Sequence, residues 1–104
     1  MKEKTYEAKI KKYLKENGCW YARIFANGYT RVGVPDILAC VNGQFVAIEV
    51  KGDGGRISVL QEHSLEEIKK SGGVAIVSYP SDFETFQNLI KSLKNPITIN
   101  GETT

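Results

Sequence analysis

The chain has 104 residues, 41% of them hydrophobic and 25% charged, with a formal net charge of +2. That describes one ordinary globular domain with room for a single core, and an excess of two positive charges does not by itself mark a nucleic-acid or membrane-surface protein. A single histidine (His63) and two separated cysteines argue against a structural zinc site, and no apolar run approaches the length of a membrane span. Met1-Lys2-Glu3-Lys4 leads into no signal-peptide core, so a cytoplasmic protein is expected. In that compartment Cys19 and Cys40 read as buried thiols rather than as a disulfide.

In chain order, Tyr6, Ile10, Tyr13 and Leu14 recur at helical spacing, with Lys4, Lys9, Lys11, Lys12 and Lys15 on the other side. An amphipathic first helix follows, stopped by Asn17-Gly18. Cys19 to Ala26 reads as a strand and Asn27 to Gly33 as a loop carrying Tyr29 and Arg31. Val34 to Val41 and Gln44 to Val50 are β-prone runs separated by Asn42-Gly43, a strong hairpin signal. After the loop Gly52-Asp53-Gly54-Gly55, Ser58 and Gln61 form a capping-box signature that opens a second helix, ended by Gly72-Gly73. Val74 to Tyr79 reads as a buried strand. Ser81 with Glu84 repeats the capping signature and starts a last helix through Phe83, Phe86, Leu89, Ile90 and Leu93, ended at Pro96. The expected order is αβββαβα in one domain, 1–95, with a tail over 96–104. Trp20, Phe25, Phe83 and Phe86 are expected in the core.

A two-residue turn at Asn42-Gly43 dictates the strand register. Val41 then faces Gln44, and stepping back along both strands brings Asp36 opposite Glu49 on one face, roughly 4.5–5.5 Å apart at Cβ. Lys51, two residues beyond Glu49, belongs to the same face, whereas Val46, Ile48 and Val50 point into the core. Opposed carboxylates repel, so stability alone would not choose them. A hard divalent cation removes the conflict by taking their oxygens. The structural alternative is a solvated strand face in which Lys51 neutralises one carboxylate.

Gly33-Val34-Pro35-Asp36 followed by Phe45-Val46-Ala47-Ile48-Glu49-Val50-Lys51-Gly52 resembles the PD-(D/E)xK nuclease motif. With Ser58-Val59-Leu60-Gln61 and Gly72-Gly73-Val74-Ala75-Ile76-Val77, it is most similar to the virus-type replication–repair nuclease domain (VRR-NUC). The resemblance runs from the first helix to about Tyr79. It implies an α/β, restriction-endonuclease-like core, a central mixed sheet flanked by helices, and a Mg²⁺ or Mn²⁺ ion held by Asp36, Glu49 and the carbonyl of Val50. Metal-bound water has a lowered pKa, and Lys51 would orient or deprotonate it and stabilise charge growing on phosphorus during in-line attack.

The resemblance carries over to two more positions. A first-helix glutamate near the metal matches Glu7, with Glu3 as fallback and a surface pair of Glu7 with Lys11 as the plainer reading. Gln61 matches the glutamine after the ExK strand, although the capping box alone would explain it. Arg31, Arg56 and Tyr29 flank the site where phosphate contacts would be useful, with surface solvation as their alternative. His63 is assigned no chemistry.

Together these features imply a metal-dependent endonuclease acting on DNA. A chain this short has no separate module for reading bases, so selectivity for branched or junction DNA is expected. Two cuts with one site per chain suggest a homodimer, and the family resemblance implies a compact phage-type replication, recombination or repair enzyme. The alternatives are a DNA-binding module that kept the fold and lost the chemistry, or a flap, single-strand or sequence-specific nuclease.

Overall fold

The structure is a computed structural model and describes residues 1–28, 31–96, 98–99 and 102–103. Its elements run α1 (Glu3–Glu16), β1 (Trp20–Arg23), β2 (Ile37–Val41), β3 (Gln44–Val50), α2 (Val59–Lys70), β4 (Val74–Ser78), a 3₁₀ turn (Pro80–Asp82) and α3 (Phe83–Lys94). The expected order αβββαβα holds. Thr98–Ile99 and Glu102–Thr103 pair as a short antiparallel ribbon, β5 and β6, in the tail.

The four main strands form one mixed sheet in the order β1-β2-β3-β4, antiparallel except for the parallel pair β3–β4. Asn42 and Gly43 both take positive φ (51° and 82°), the combination a tight hairpin turn demands. The register follows from it: Val41 faces Gln44 and Ile37 faces Ile48. Pro35 brings no N–H to the ladder, so β2 begins only at Ile37 rather than at Val34. β1 is likewise shorter than the expected Cys19–Ala26, ending at Arg23 with one further bond from Ile24 N to Asp36 O at 2.8 Å.

One face of the sheet packs on α1 and α3. Tyr6, Ile10 and Leu14 of α1, and Phe86 and Ile90 of α3, are fully buried against Ile37, Ala39, Val41, Val46, Ile48 and Val50. Burying side chains of this size is worth roughly 1.5–3 kcal/mol each, which is what holds the short strands in place. A buried polar link across this layer joins Tyr6 Oη and Ser78 Oγ at 2.7 Å. On the opposite face α2 lies over β3 and β4, as a parallel pair joined by a helix requires.

Several expectations fail on packing. Phe86 is core and Phe83 packs against it, but Trp20 and Phe25 are 65% and 70% exposed. Cys19 is buried, whereas Cys40 points out of the uncovered sheet face; both are free thiols. The last helix is not opened by a Ser81–Glu84 box. Asp82 Oδ1 accepts from Tyr79 N at 2.8 Å, the 3₁₀ turn intervenes, and α3 starts at Phe83. Among the described residues no helix is long and apolar enough to cross a membrane.

Gly33 fixes how the loop before β2 meets α2. Its φ is +82°, and a Cβ there would lie 2.6 Å from the carbonyl oxygen of Leu60. Gly33→Ala therefore meets both backbone strain and a clash that no rotamer relieves. We expect it to cost more than about 1 kcal/mol in urea melts, and to loosen the seat of Pro35-Asp36 beside α2. Wild-type stability in that variant would show that the loop shifts freely.

Candidate active site at the end of the hairpin

The β2–β3 ladder stops one residue short of Asp36 and Glu49, and what replaces it defines the site. Val50 N, which another carbonyl would accept in a continued ladder, donates instead to Asp36 Oδ2 at 2.9 Å. Asp36 and Glu49 each lie one step beyond the last ladder pair, Ile37 and Ile48, and the Asp36 carboxylate is folded onto the end of β3. Glu49 is 1% exposed. Its Oε1 accepts from Gln61 Nε2 at 3.2 Å, and its Oε2 is buried with no hydrogen-bond partner.

Gln61 serves both purposes that its position suggests. Ser58 N donates to Gln61 Oε1 at 2.8 Å, and Gln61 N donates to Ser58 Oγ at 3.1 Å, a complete capping box. The amide nitrogen left over by the cap is the group that reaches Glu49. One side chain therefore starts α2 and ties it to the buried carboxylate.

Burial pushes the Glu49 carboxyl up to about 8, reinforced by the neighbouring Asp36 carboxylate. Lys51 pulls in the opposite direction, and Glu3 adds a further upward push. Lys51 follows β3 directly, its N–H bonded to Ser78 O at 3.0 Å, and its side-chain ammonium enters no ion pair among the described residues. Glu3 is close because α1 begins against Gly52, where a Cβ would sit 2.6 Å from Glu3 N.

The structure does not bring the Glu7 carboxylate into the Asp36–Glu49 pair. Glu7 is held by Arg23 Nε at 2.8 Å and by Lys11 Nζ at 3.3 Å, so the expected Glu7–Lys11 pair exists but is the lesser contact. Arg23 stands between the two acids: its Nη1 lies 3.6 Å from Asp36 Oδ1, and it also donates to Ile24 O and, at 3.5 Å, to Asp36 O. Sequence reasoning passed over Arg23. The available signal was a cation closing an otherwise uncharged strand, Trp20-Tyr21-Ala22-Arg23, immediately before the loop that leads to Asp36.

A cleft of about 300 Å³ opens over this group, lined among others by Arg23, Phe25, Arg31, Gly33, Asp36 and Gln61. Arg31 is exposed on its wall, Arg56 is exposed beyond the Gly52–Gly55 turn, and Tyr29 lies outside the described residues. Arg23 is stacked on Phe25, 4.6 Å from the ring centre.

The donor set suits a hard divalent cation. Two adjacent carboxyl groups repel when both are ionised, one of them buried with an oxygen that has no partner among the described residues; a divalent cation would favour the ionised form of both, and oxygen is the donor such ions take. No third acidic, histidine or cysteine side chain converges with them among the described residues. Main-chain oxygen and water would complete the shell, and Glu7 would have to leave Arg23 to join it.

A sequence model of the family described as archaeal Holliday junction resolvase (Hjc) matches residues 1–82. That family belongs to the PD-(D/E)xK superfamily, as the motif implied; the match does not show the VRR-NUC group that the motif order suggested. The fold agrees with the family's restriction-endonuclease-like architecture. No curated protein and no solved structure matches the chain.

The Glu49 environment yields a pH prediction. In the metal-free fold this carboxyl keeps its proton until about pH 8, whereas the group's ordinary value is 4.5. Its stabilising contribution is fully present below that ordinary value and is lost as pH rises through about 8. Calorimetry in EDTA should show a melting temperature that falls across this window, with Glu49→Gln removing the fall and melting higher than wild type on the alkaline side. Parallel wild-type and Glu49→Gln curves would show that Glu49 ionises normally.

Proposed function

Because the chain belongs to the archaeal Holliday junction resolvase family, we propose that it is a divalent-metal-dependent endonuclease that nicks Holliday junctions and related branched DNA. The observation that carries this reading is the Asp36–Glu49 pair, with Glu49 Oε2 buried and unpartnered beside Lys51. Asp36, Glu49 and the carbonyl of Val50 would hold Mg²⁺ or Mn²⁺. When bound, that ion supplies a Lewis acid for the scissile phosphate and lowers the pKa of water.

The remaining roles fall to the chain's own groups. The Lys51 ammonium, in no ion pair among the described residues, orients the attacking water, exchanges a proton with it, and stabilises the charge that grows on the phosphate oxygens. Gln61 keeps the Glu49 carboxylate turned toward Asp36. Arg23 sets the direction of Asp36 and carries a positive charge into the cleft, while Glu7 holds Arg23 in place. Arg31, Arg56 and Tyr29 lie on segments flanking the cleft, where contacts to DNA phosphates would position the strand without reading bases. Two incisions placed across a junction call for two such sites, hence a homodimer.

Cleavage of a labelled four-way junction tests this reading. EDTA should abolish nicking, and Lys51→Ala should lower the rate about 10²–10⁴-fold while junction binding persists. Asp36→Ala should remove metal binding measured by calorimetry. Equal nicking in EDTA, or by Lys51→Ala, would leave a DNA-binding module with the nuclease fold. Equal rates on linear duplex would remove the junction preference alone.

A further inference from the structure

Strand β1 leads straight to the lip of the active-site cleft, and the chain presents an aromatic ring there. Ile24 N donates to Asp36 O at 2.8 Å, and Ile24 O accepts from Arg23 Nη1. With both main-chain polar groups of Ile24 engaged, Phe25 leaves a fixed stem one residue beyond the bond to Asp36. The guanidinium carbon of Arg23 lies 4.6 Å from the centre of its ring. Phe25 is nonetheless 70% exposed, so it forgoes most of what burying a phenylalanine contributes to stability. A single exposed apolar side chain would need no explanation. This one shares a cleft of about 300 Å³ with Val32, itself 74% exposed, and with Arg23, Arg31 and Asp36. Cations that follow a phosphate backbone, set beside an aromatic face, are the combination that holds unpaired nucleic-acid strands.

We propose that Phe25 is the stacking platform for one nucleobase lying outside the duplex, at the branch point beside the strand to be cut. The proposal rests on the branched-DNA reading above and gives that preference a residue. Stacking a base on an aromatic side chain strengthens binding roughly five- to 100-fold. Lifting a base out of an intact duplex costs as much or more, and costs least where the base has already lost its partner. On linear duplex the two effects offset each other, and the ring adds nothing. At a fork, flap or opened junction the gain remains and the cost is largely gone. One side chain can therefore tell branched from linear DNA without touching the edge of any base pair.

The surroundings of the ring suit this occupant. Glu7 Oε1 accepts from Arg23 Nε at 2.8 Å, so the cation beside the ring is held in place. A base stacked on Phe25 brings its own phosphate, which meets the positive charge of Arg23 and Arg31. Asp36 is the one acid among the described lining residues, and the divalent ion of the nuclease reading would take its charge. Every base offers a π face, so selectivity set here concerns the shape of the DNA and not its sequence.

Equilibrium binding of the full chain, read by fluorescence anisotropy in EDTA, tests the platform without any need for cleavage. The labelled-junction assay above judges the nuclease reading separately. The probes are a labelled DNA fork with short unpaired arms, the same fork with each unpaired nucleotide in turn made abasic, and a linear duplex of equal length. An abasic nucleotide keeps its phosphate, so the electrostatic part of binding is unchanged. Loss of the base next to the branch point should weaken wild-type binding about five- to 100-fold. Phe25→Ala should bind the intact fork with that same loss and no longer distinguish the abasic one. Phe25→Trp should distinguish them again, and circular dichroism spectra of all three proteins should overlay, since the position is exposed. Three results would overturn the proposal: wild-type affinity that ignores base loss at every position, a Phe25→Ala protein that still discriminates, or an equal loss of affinity for linear duplex in that variant.

Discussion

The site depends on one hydrogen bond, from the Val50 main-chain N–H to the carboxylate of Asp36. At the end of an antiparallel ladder the next donor has to find an acceptor or remain unsatisfied. Pro35 ends the pairing on β2, and the side chain of Asp36 takes over where a carbonyl would have stood. That substitution pins a carboxylate against the last turn of the ladder and beside Glu49. It also anchors Val50, whose carbonyl lies between the two motif residues Glu49 and Lys51. Catalytic geometry here is a by-product of satisfying a backbone donor, which makes it rigid at little further cost.

The same economy recurs on the other side of Glu49. A capping box needs a glutamine or glutamate at the third helical position, and glutamate would serve the cap equally well. Only the amide offers a donor after its oxygen is used, and that donor is what a buried carboxylate needs. A glutamate at position 61 would cap α2 and place a third negative charge against Glu49. The choice of glutamine is therefore explained by the site and not by the helix. It couples the angle of α2 to the charge state of the pair.

Most of this was legible in the sequence because it rests on short-range rules. The Asn42-Gly43 turn set the register, and the register set which face Asp36 and Glu49 share; the structure keeps both. Ser58 and Gln61 announced their helix start. What failed depended on three-dimensional neighbours. Trp20 and Phe25 look like core residues, since hydrophobicity cannot say which half of a sheet a helix will cover. Ser81 and Glu84 fit a cap in sequence, but Pro80 fixes a tighter turn first, in which Asp82 Oδ1 accepts from Tyr79 N, and α3 then starts without a side-chain cap from Asp82. Glu7, matched by the resemblance to a metal-side glutamate, instead pairs with a strand arginine sixteen residues away, which no helical periodicity reveals.

Arg23 changes how the acidic cluster should be understood. Asp36 and Glu49 alone would be a pair of like charges held together by the fold, and the unpartnered Oε2 of Glu49 shows that the protein does not fully resolve that conflict. It resolves it on one side only: Arg23, fixed by Glu7 and by its stacking on Phe25, offsets Asp36. Glu49 makes no ion pair with that cation and has an amide on one oxygen and no partner on the other among the described residues. The unmet need for a partner is thus concentrated at one buried atom rather than spread over the pair, and in the metal-free fold a retained proton answers it up to about pH 8. An incoming cation gains most where the protein has left a carboxylate oxygen without a donor, and desolvation there strengthens its attraction. The asymmetry between the two acids, one partnered and one left short, is what turns a repulsive strand pair into a directed binding position.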